Sequence, residues 1–129
     1  MDIVWREILP HPSWGTDRDA VIWVDPARFD RLWQRTDQWI SPGGKTGAQD
    51  DRYLKFGAWL AQGKAVDMCM IWLDGESAGF TNGRHRFAWL RDHGIGALPM
   101  QVSPSDAEAI IALCGSPLRR SILPAGGPS

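Results

Sequence analysis

The stretch Phe80-Thr81-Asn82-Gly83-Arg84-His85-Arg86-Phe87-Ala88-Trp89-Leu90-Arg91-Asp92-His93-Gly94-Ile95, with Ala97-Leu98-Pro99-Met100-Gln101-Val102 close behind, decides the fold. It reads as a strand end, a tight turn, a basic helix start, a glycine stop and a return strand. Asn82 is the expected N-cap, its side chain accepting the amide of His85, which leaves the amides of Gly83 and Arg84 pointing outward and unpaired. Those donors call for an anion. Arg84, His85 and Arg86 crowd the first turn, where the positive end of the helix dipole makes cations mildly unfavourable. Basic residues placed there point to a bound phosphate or carboxylate. At the far end Gly94 suits the left-handed position after the helix, and Ile95 folds back on Leu90 as in a Schellman stop.

Working outward, Ala97–Val102 is a strand, and Ser103-Pro104-Ser105-Asp106 starts a last helix running to about Leu113, with Pro104 or Ser105 near its cap and Gly115 as its stop. Upstream, Ser77–Thr81 is the strand that delivers the motif, and Asp74-Gly75-Glu76 is a turn. Val66–Leu73 is apolar on both alternating sets from Met68 onward, which predicts one strand, covered on both faces and central in the sheet. A helix capped by Asp50 or Asp51 runs to about Gln62, with Tyr53, Phe56, Gly57 and Leu60 as its inner stripe and Arg52, Lys55 and Trp59 as a basic and aromatic flank. Trp39-Ile40-Ser41-Pro42-Gly43-Gly44-Lys45-Thr46-Gly47 is too rich in Gly and Pro for an element and too long for a simple connector, so it is a candidate binding loop. Ala20–Val24 is a strand, and Asp25-Pro26 opens a helix to about Arg35 that buries Phe29, Leu32 and Trp33.

The 129 residues make one domain's worth of chain. The reading divides it into an irregular arm over 1–19, with a short edge strand around Ile3–Ile8, a domain over 20–115, and a flexible tail over 116–129. Fourteen Lys and Arg oppose fifteen Asp and Glu, so the net charge of −1 gives no global attraction to nucleic acid or membrane, and any polyanion binding must be local. Cys69 and Cys114 lack metal or disulfide-framework spacing and read as buried thiols in a reducing compartment. With no basic n-region and no apolar run of spanning length, the expectation is a cytoplasmic, soluble protein without membrane insertion. The eight tryptophans read chiefly as core filling.

On Asn82-Gly83-Arg84-His85-Arg86-Phe87-Ala88-Trp89-Leu90, the Gly94-Ile95 step, Leu98–Val102, and the Val21–Val24 strand with Asp25-Pro26, the chain resembles the ParB/sulfiredoxin superfamily from about Ala20 to Val102. Within it, the form of the motif looks most like the plasmid fertility inhibition factors of the FiwA/Osa type. The resemblance implies a single-domain α/β (α+β) fold with a small mixed sheet and flanking helices, in which the glycine-started turn binds nucleotide phosphates. It implies suppression of conjugative DNA transfer, with DNase or NTPase activity, a nucleotide such as ATP with Mg²⁺ as cofactor, and nucleotide, DNA or a transfer-system protein as partner. Sulfiredoxins carry their catalytic cysteine where Arg84 stands, so reductase chemistry lacks its nucleophile. Nothing after Val102 leaves room for the added domains of ParB partition proteins.

The candidate phosphate-binding residues are therefore Asn82, Gly83, Arg84, His85 and Arg86, joined by Arg52 and by Lys45 closing from the other side. Gly44-Lys45-Thr46 ends like a Walker A loop, but Trp39 stands where that motif needs its first glycine, so a P-loop is rejected. Lys45, Asp50 and Asp51 are the catalytic candidates should the chain cleave phosphodiesters or phosphoanhydrides. His11, His85 and His93 have no metal spacing, and the acidic clusters at Asp50-Asp51 and Asp74–Glu76 reach a Mg²⁺ only if the fold brings them to the phosphate. The second reading is a catalytically inactive, protein-binding inhibitor, antitoxin-like or immunity-like, of a transfer-system or toxin protein.

Overall fold

The computed structural model describes residues 1–9, 18–44 and 50–124. In chain order the elements are β1 (Trp5–Arg6), β2 (Ala20–Val24), α1 (Pro26–Trp33), α2 (Asp50–Leu60), β3 (Val66–Asp67), β4 (Cys69–Asp74), β5 (Ser77–Asn82), α3 (Arg84–Asp92), β6 (Leu98–Val102) and α4 (Ala107–Cys114), the last entered through a 3-10 turn at Pro104–Asp106. The architecture is the mixed α/β one expected.

Local chemistry sets the boundaries of these elements. The Asp25 carboxylate accepts the amides of Ala27 (3.0 Å) and Arg28 (3.3 Å), and Pro26 takes the first helical position, where no amide is missed. Gly94 adopts φ +83°, and Ile95 donates its amide to the Leu90 carbonyl (3.1 Å) with both side chains buried, which is the Schellman stop. The main sheet has strand order β2-β6-β4-β5, with β4 and β6 parallel and the other neighbours antiparallel. β4 is an interior strand, as its apolar character on both faces predicts. The single strand expected over Val66–Leu73 is in fact two. Val66 and Met68 donate to the carbonyls of Val4 and Arg6 (2.8 and 2.9 Å), which ties β3 to β1, and from Cys69 onward the chain pairs with β6 and β5 instead. One apolar run thus serves two sheets, and period alone cannot show the change of partner.

The core is aromatic where the Asn82–Arg86 turn is held. Phe29 and Trp33 of α1 meet Phe80 of β5 edge-on, with ring centroids 5.3 and 4.9 Å apart, and both also meet Phe87 of α3 (5.3 and 5.6 Å). Phe29, Trp33 and Phe87 are fully buried. Edge-to-face pairs add about 0.5–1.5 kcal/mol each beyond the area they bury. Phe80 and Phe87 flank the Asn82–Arg86 turn in sequence, so this cluster clamps both of its ends.

The flexible tail expected over 116–129 needs correction as far as Pro124. Ser121 is only 3% exposed; its hydroxyl donates to the Ala97 carbonyl (2.7 Å) and accepts the Trp5 indole N–H (2.9 Å). Ile3 donates its amide to Ser121, and Leu123 to Met1 (both 2.9 Å). Gly- and Pro-rich composition reads as disorder, but three buried side chains, Ser116, Ser121 and Leu123, secure this segment. Residues 125–129 lie outside the described part. The arm also has structure: the buried Gln101 side chain bonds both the amide and the carbonyl of Ile8 (2.7 and 2.8 Å). Among the described residues no helix is long and apolar enough to cross a membrane.

Candidate functional site

At the end of β5 the strand pairing slips. Met70 pairs with Asn82 and Ile71 with Phe80, which leaves Thr81 as an extra residue, the irregularity that often re-aims a chain beside a site. Gly83 follows with φ +98° and holds the N-cap position of α3. Asn82 is therefore not the cap: it remains in the strand, and no side chain caps the helix. The left-handed turn at Gly83 is abrupt enough to move the start of the helix one residue later than the Asx pattern predicts. A Cβ at Gly83 would also lie 2.8 Å from both Cys69 Sγ and Arg86 Nη2, so the backbone passes too close to β4 for a side chain.

The first turn of α3 opens on a cleft of about 630 Å³. Arg84, His85 and Arg86 form one wall, Arg52, Lys55 and Trp59 of α2 form the other, and Phe80 and Gln38 also line it. The two helices approach closely because Gly57 has no side chain; a Cβ there would lie 2.6 Å from Trp89 Nε1. Trp89 is thus packed beneath α2, against Phe56 and stacked on His93, and does not wall the cleft. Asp67 is the sole carboxylate among the described lining residues, and Arg6 already holds it at 2.7 Å.

Among the described residues the other cations of the cleft have little compensation. Lys55 has a loose partner in Asp51 at 3.8 Å, both side chains well exposed, a pair worth about 0.3–0.5 kcal/mol. Arg86 donates to the Met68 carbonyl at 3.4 Å, and its Nε is buried without a partner among the described atoms. Arg52 and Arg84 form no ion pair among the described residues. The field shows on His85: burial first, then Arg84, Arg52 and Arg86, push its pKa below the ordinary 6.5, so the ring is neutral at pH 7. Cys69 lies fully buried under the turn, and burial pushes its thiol up to about 11 although Arg86 pulls the other way, so it is no nucleophile.

Of the residues singled out from sequence, Asn82, Gly83, Arg84, His85, Arg86 and Arg52 all line this one cleft. Asp51 does not; it stands exposed at the start of α2. Lys45 lies outside the described residues, as does the side chain of Asp50. Sequence reading missed Gln38, whose Oε1 accepts the Phe80 amide (3.3 Å) across 42 positions, and Asp67; neither sits in a motif.

It also missed the opposite end of α3. Arg91, with a side chain 10% exposed, donates to Asp30 and Asp92 (2.9 Å each) and lies over the Trp33 ring at 5.7 Å. Asp92 in turn accepts the Tyr53 hydroxyl (2.7 Å) and the Gly43 amide (2.9 Å), and Asp30 accepts the Trp39 indole N–H (3.1 Å). Burial and then the bond to Asp92 push the Tyr53 pKa well up. Burial lowers the Arg91 pKa, yet the bonds to Asp92 and Asp30 outweigh it and hold the guanidinium charged. This network ties the glycine-bearing loop to α1, α2 and α3.

Together the sheet, the aromatic clamp and the basic turn define a small mixed α/β domain with a cation-lined cleft at a glycine-started helix. Residues 21–115 match the family model described as Plasmid Fertility inhibition factor, and the chain belongs to the plasmid fertility inhibition factor family. Among solved structures, the chain is similar to the gold(I) cyanide derivative of Oncogenic Suppression Activity Protein, a plasmid fertility inhibition factor, with a TM-score of 0.61 over 88% of this chain and 70% of that one. At 21% identity that likeness is one of fold. No curated protein matches the chain.

Proposed function

We propose that this member of the fertility inhibition family suppresses conjugative DNA transfer, and that its cleft binds the phosphate groups of a nucleotide or nucleic acid. The observation behind this reading is the charge imbalance: Arg52, Lys55, Arg84 and Arg86 face one cleft whose only described carboxylate is already paired. Cations held together without counter-charge repel one another, and an anion seated among them relieves that repulsion while accepting charge-assisted hydrogen bonds. The uncapped start of α3 adds the positive end of its dipole. The wall residue Trp59, stacked on Phe56, gives an aromatic face beside the phosphate region.

The described donors of the cleft do not fit a Mg²⁺ ion. Such an ion takes carboxylate and water oxygens, whereas here cations dominate, Asp67 is engaged by Arg6, and Asp51 is not among the lining residues and lies beside Lys55. Inhibition by binding, rather than by metal-dependent cleavage of DNA or nucleotide, is thus the reading this donor set favours. A thermal-shift panel of ATP, CTP and ADP, with and without Mg²⁺, tests it on wild type and Arg84→Ala. Stabilisation of wild type that does not need Mg²⁺ and is lost in the variant is expected; no shift, or equal shifts in both proteins, refutes the cleft.

A further inference from the structure

The wall of the cleft formed by α2 carries more than charge. Arg52, Lys55 and Trp59 fall at spacings of three and four, one stripe of the helix, and all three line the cleft. Lys55 and Trp59 are one turn apart, so the stripe passes from ammonium to indole within about 6 Å of helix rise. The indole is fixed from behind. Phe56 stacks on Trp59 with ring centroids 6.1 Å apart and planes inclined by 26°. Phe56 is itself buried and meets Trp89 edge-on at 5.6 Å, and the bare backbone of Gly57 leaves room for Trp89. Trp59 is half-buried and lines the cleft, so Phe56 backs the ring without closing it off.

Gln38 also lines the cleft with capacity to spare. Its Oε1 accepts the Phe80 amide (3.3 Å), and its Nε2 donates to no described residue. The bond to Phe80 decides which end of the amide is left over, and that end is a donor. A free donor suits the ring nitrogens and carbonyl oxygens of a base edge. Phosphate alone uses neither group. A bare anion needs cations and N–H donors, whereas an indole backed by a second ring offers a π face on which a nucleobase stacks whatever its identity. In a duplex both faces of each base are already stacked, so only an unpaired base reaches such a platform.

We propose that the cleft takes an unpaired nucleotide unit, with its phosphate among Arg52, Lys55 and Arg84, its base on Trp59, and a base acceptor on Gln38 Nε2. The unit is a free nucleotide or one residue of a single strand, and the paired bases of a duplex do not reach the platform. This rests on the cleft being a phosphate site. It adds which phosphates the cleft selects: those that carry an accessible base.

Calorimetry of the full chain at one fixed salt concentration tests it with two pairs of probes: inorganic tripolyphosphate against ATP, and a short GC-rich duplex against a single-stranded oligothymidylate. Tripolyphosphate carries at least the charge of ATP and lacks the base, so charge alone does not favour ATP. ATP is expected to bind about tenfold tighter than tripolyphosphate, and the single strand about tenfold tighter than the duplex. Trp59→Ala should bring both ratios to about one, Trp59→Phe should restore them, and Arg84→Ala should weaken tripolyphosphate and ATP alike. If Trp59→Ala loses the near-UV circular dichroism of the folded chain, Trp59→Leu, which keeps apolar bulk without a π face, replaces it. A Trp59-dependent excess in the ATP pair alone assigns the unit to a free nucleotide, and in the strand pair alone to nucleic acid. No excess in either pair, or an excess that the Trp59 variants leave unmoved, overturns the platform and leaves the phosphate reading standing. If no probe binds, the phosphate reading itself fails, and the platform with it.

Discussion

The two ends of α3 carry arginines in opposite circumstances. At the C-terminal end Arg91 is nearly buried and its charge is answered by Asp30 and Asp92, which are themselves bonded to Trp39, Tyr53 and Gly43. At the N-terminal end Arg84 and Arg86 face an open cleft with Arg52 and Lys55, and no free carboxylate among the described residues answers them. One helix thus has a network closed in charge at one end, although Arg91 Nη2 has no hydrogen-bond partner among the described atoms, and an open one at the other. A closed network fixes geometry and contributes through stability; an open one has interaction energy left for a ligand.

The largest expected effect lies at the closed end. Arg91→Ala leaves two largely buried carboxylates without their cation and should cost about 3–5 kcal/mol in denaturant unfolding. A loss below about 1 kcal/mol would break the contrast between the two ends, since surface pairs cost no more than that. Gly83→Ala comes next. A side chain at φ +98° pressed against Cys69 and Arg86 should cost about 1–3 kcal/mol and weaken ATP binding, because the first turn of α3 must shift. Retained stability and affinity would show that the turn tolerates a Cβ.

Arg84→Ala should do the reverse of Arg91→Ala. Unfolding free energy should stay within about 0.5 kcal/mol, as for a surface change, while ATP affinity measured by calorimetry drops about tenfold. A variant destabilised like Arg91→Ala would place Arg84 in the scaffold instead. The smallest effect is on pH. His85 has a folded pKa below its ordinary 6.5, so the unfolded chain takes up its proton first. The contribution of His85 to stability is therefore complete above about pH 6.5 and is lost as pH falls through the depressed folded value. Replacing His85 with Gln should flatten that part of the acid limb in denaturant titrations.

The same contrast explains what the sequence disclosed. The open end is written locally: a glycine, two arginines and a histidine within four positions, after a strand and before a helix, are legible because the turn that groups them is made by adjacent residues. Arg52 and its flank were legible from helical period. The closed end is written across the chain, with Asp30 and Arg91 separated by 61 positions and Tyr53 and Asp92 by 39, and no spacing rule joins them. The division of Val66–Leu73 between two sheets and the burial of Ser121 have the same origin: each depends on the distant N-terminal segment Met1–Arg6 or on Ala97, which only the folded chain brings near. The misplaced cap at Asn82 is a local error, in which a side-chain preference yielded to the backbone freedom of the following glycine.

His85 reports directly on whether the cleft is an anion site, because Arg84, Arg52 and Arg86 are what push its proton off once burial has done so. Its pKa can be followed by NMR of the imidazole protons, without and with saturating ATP. An anion seated among the arginines offsets their field, so the pKa of His85 should rise on binding, and the rise should vanish in Arg84→Ala. An unchanged His85 titration at ATP concentrations that saturate any binding elsewhere on the chain would contradict the cleft as a phosphate site.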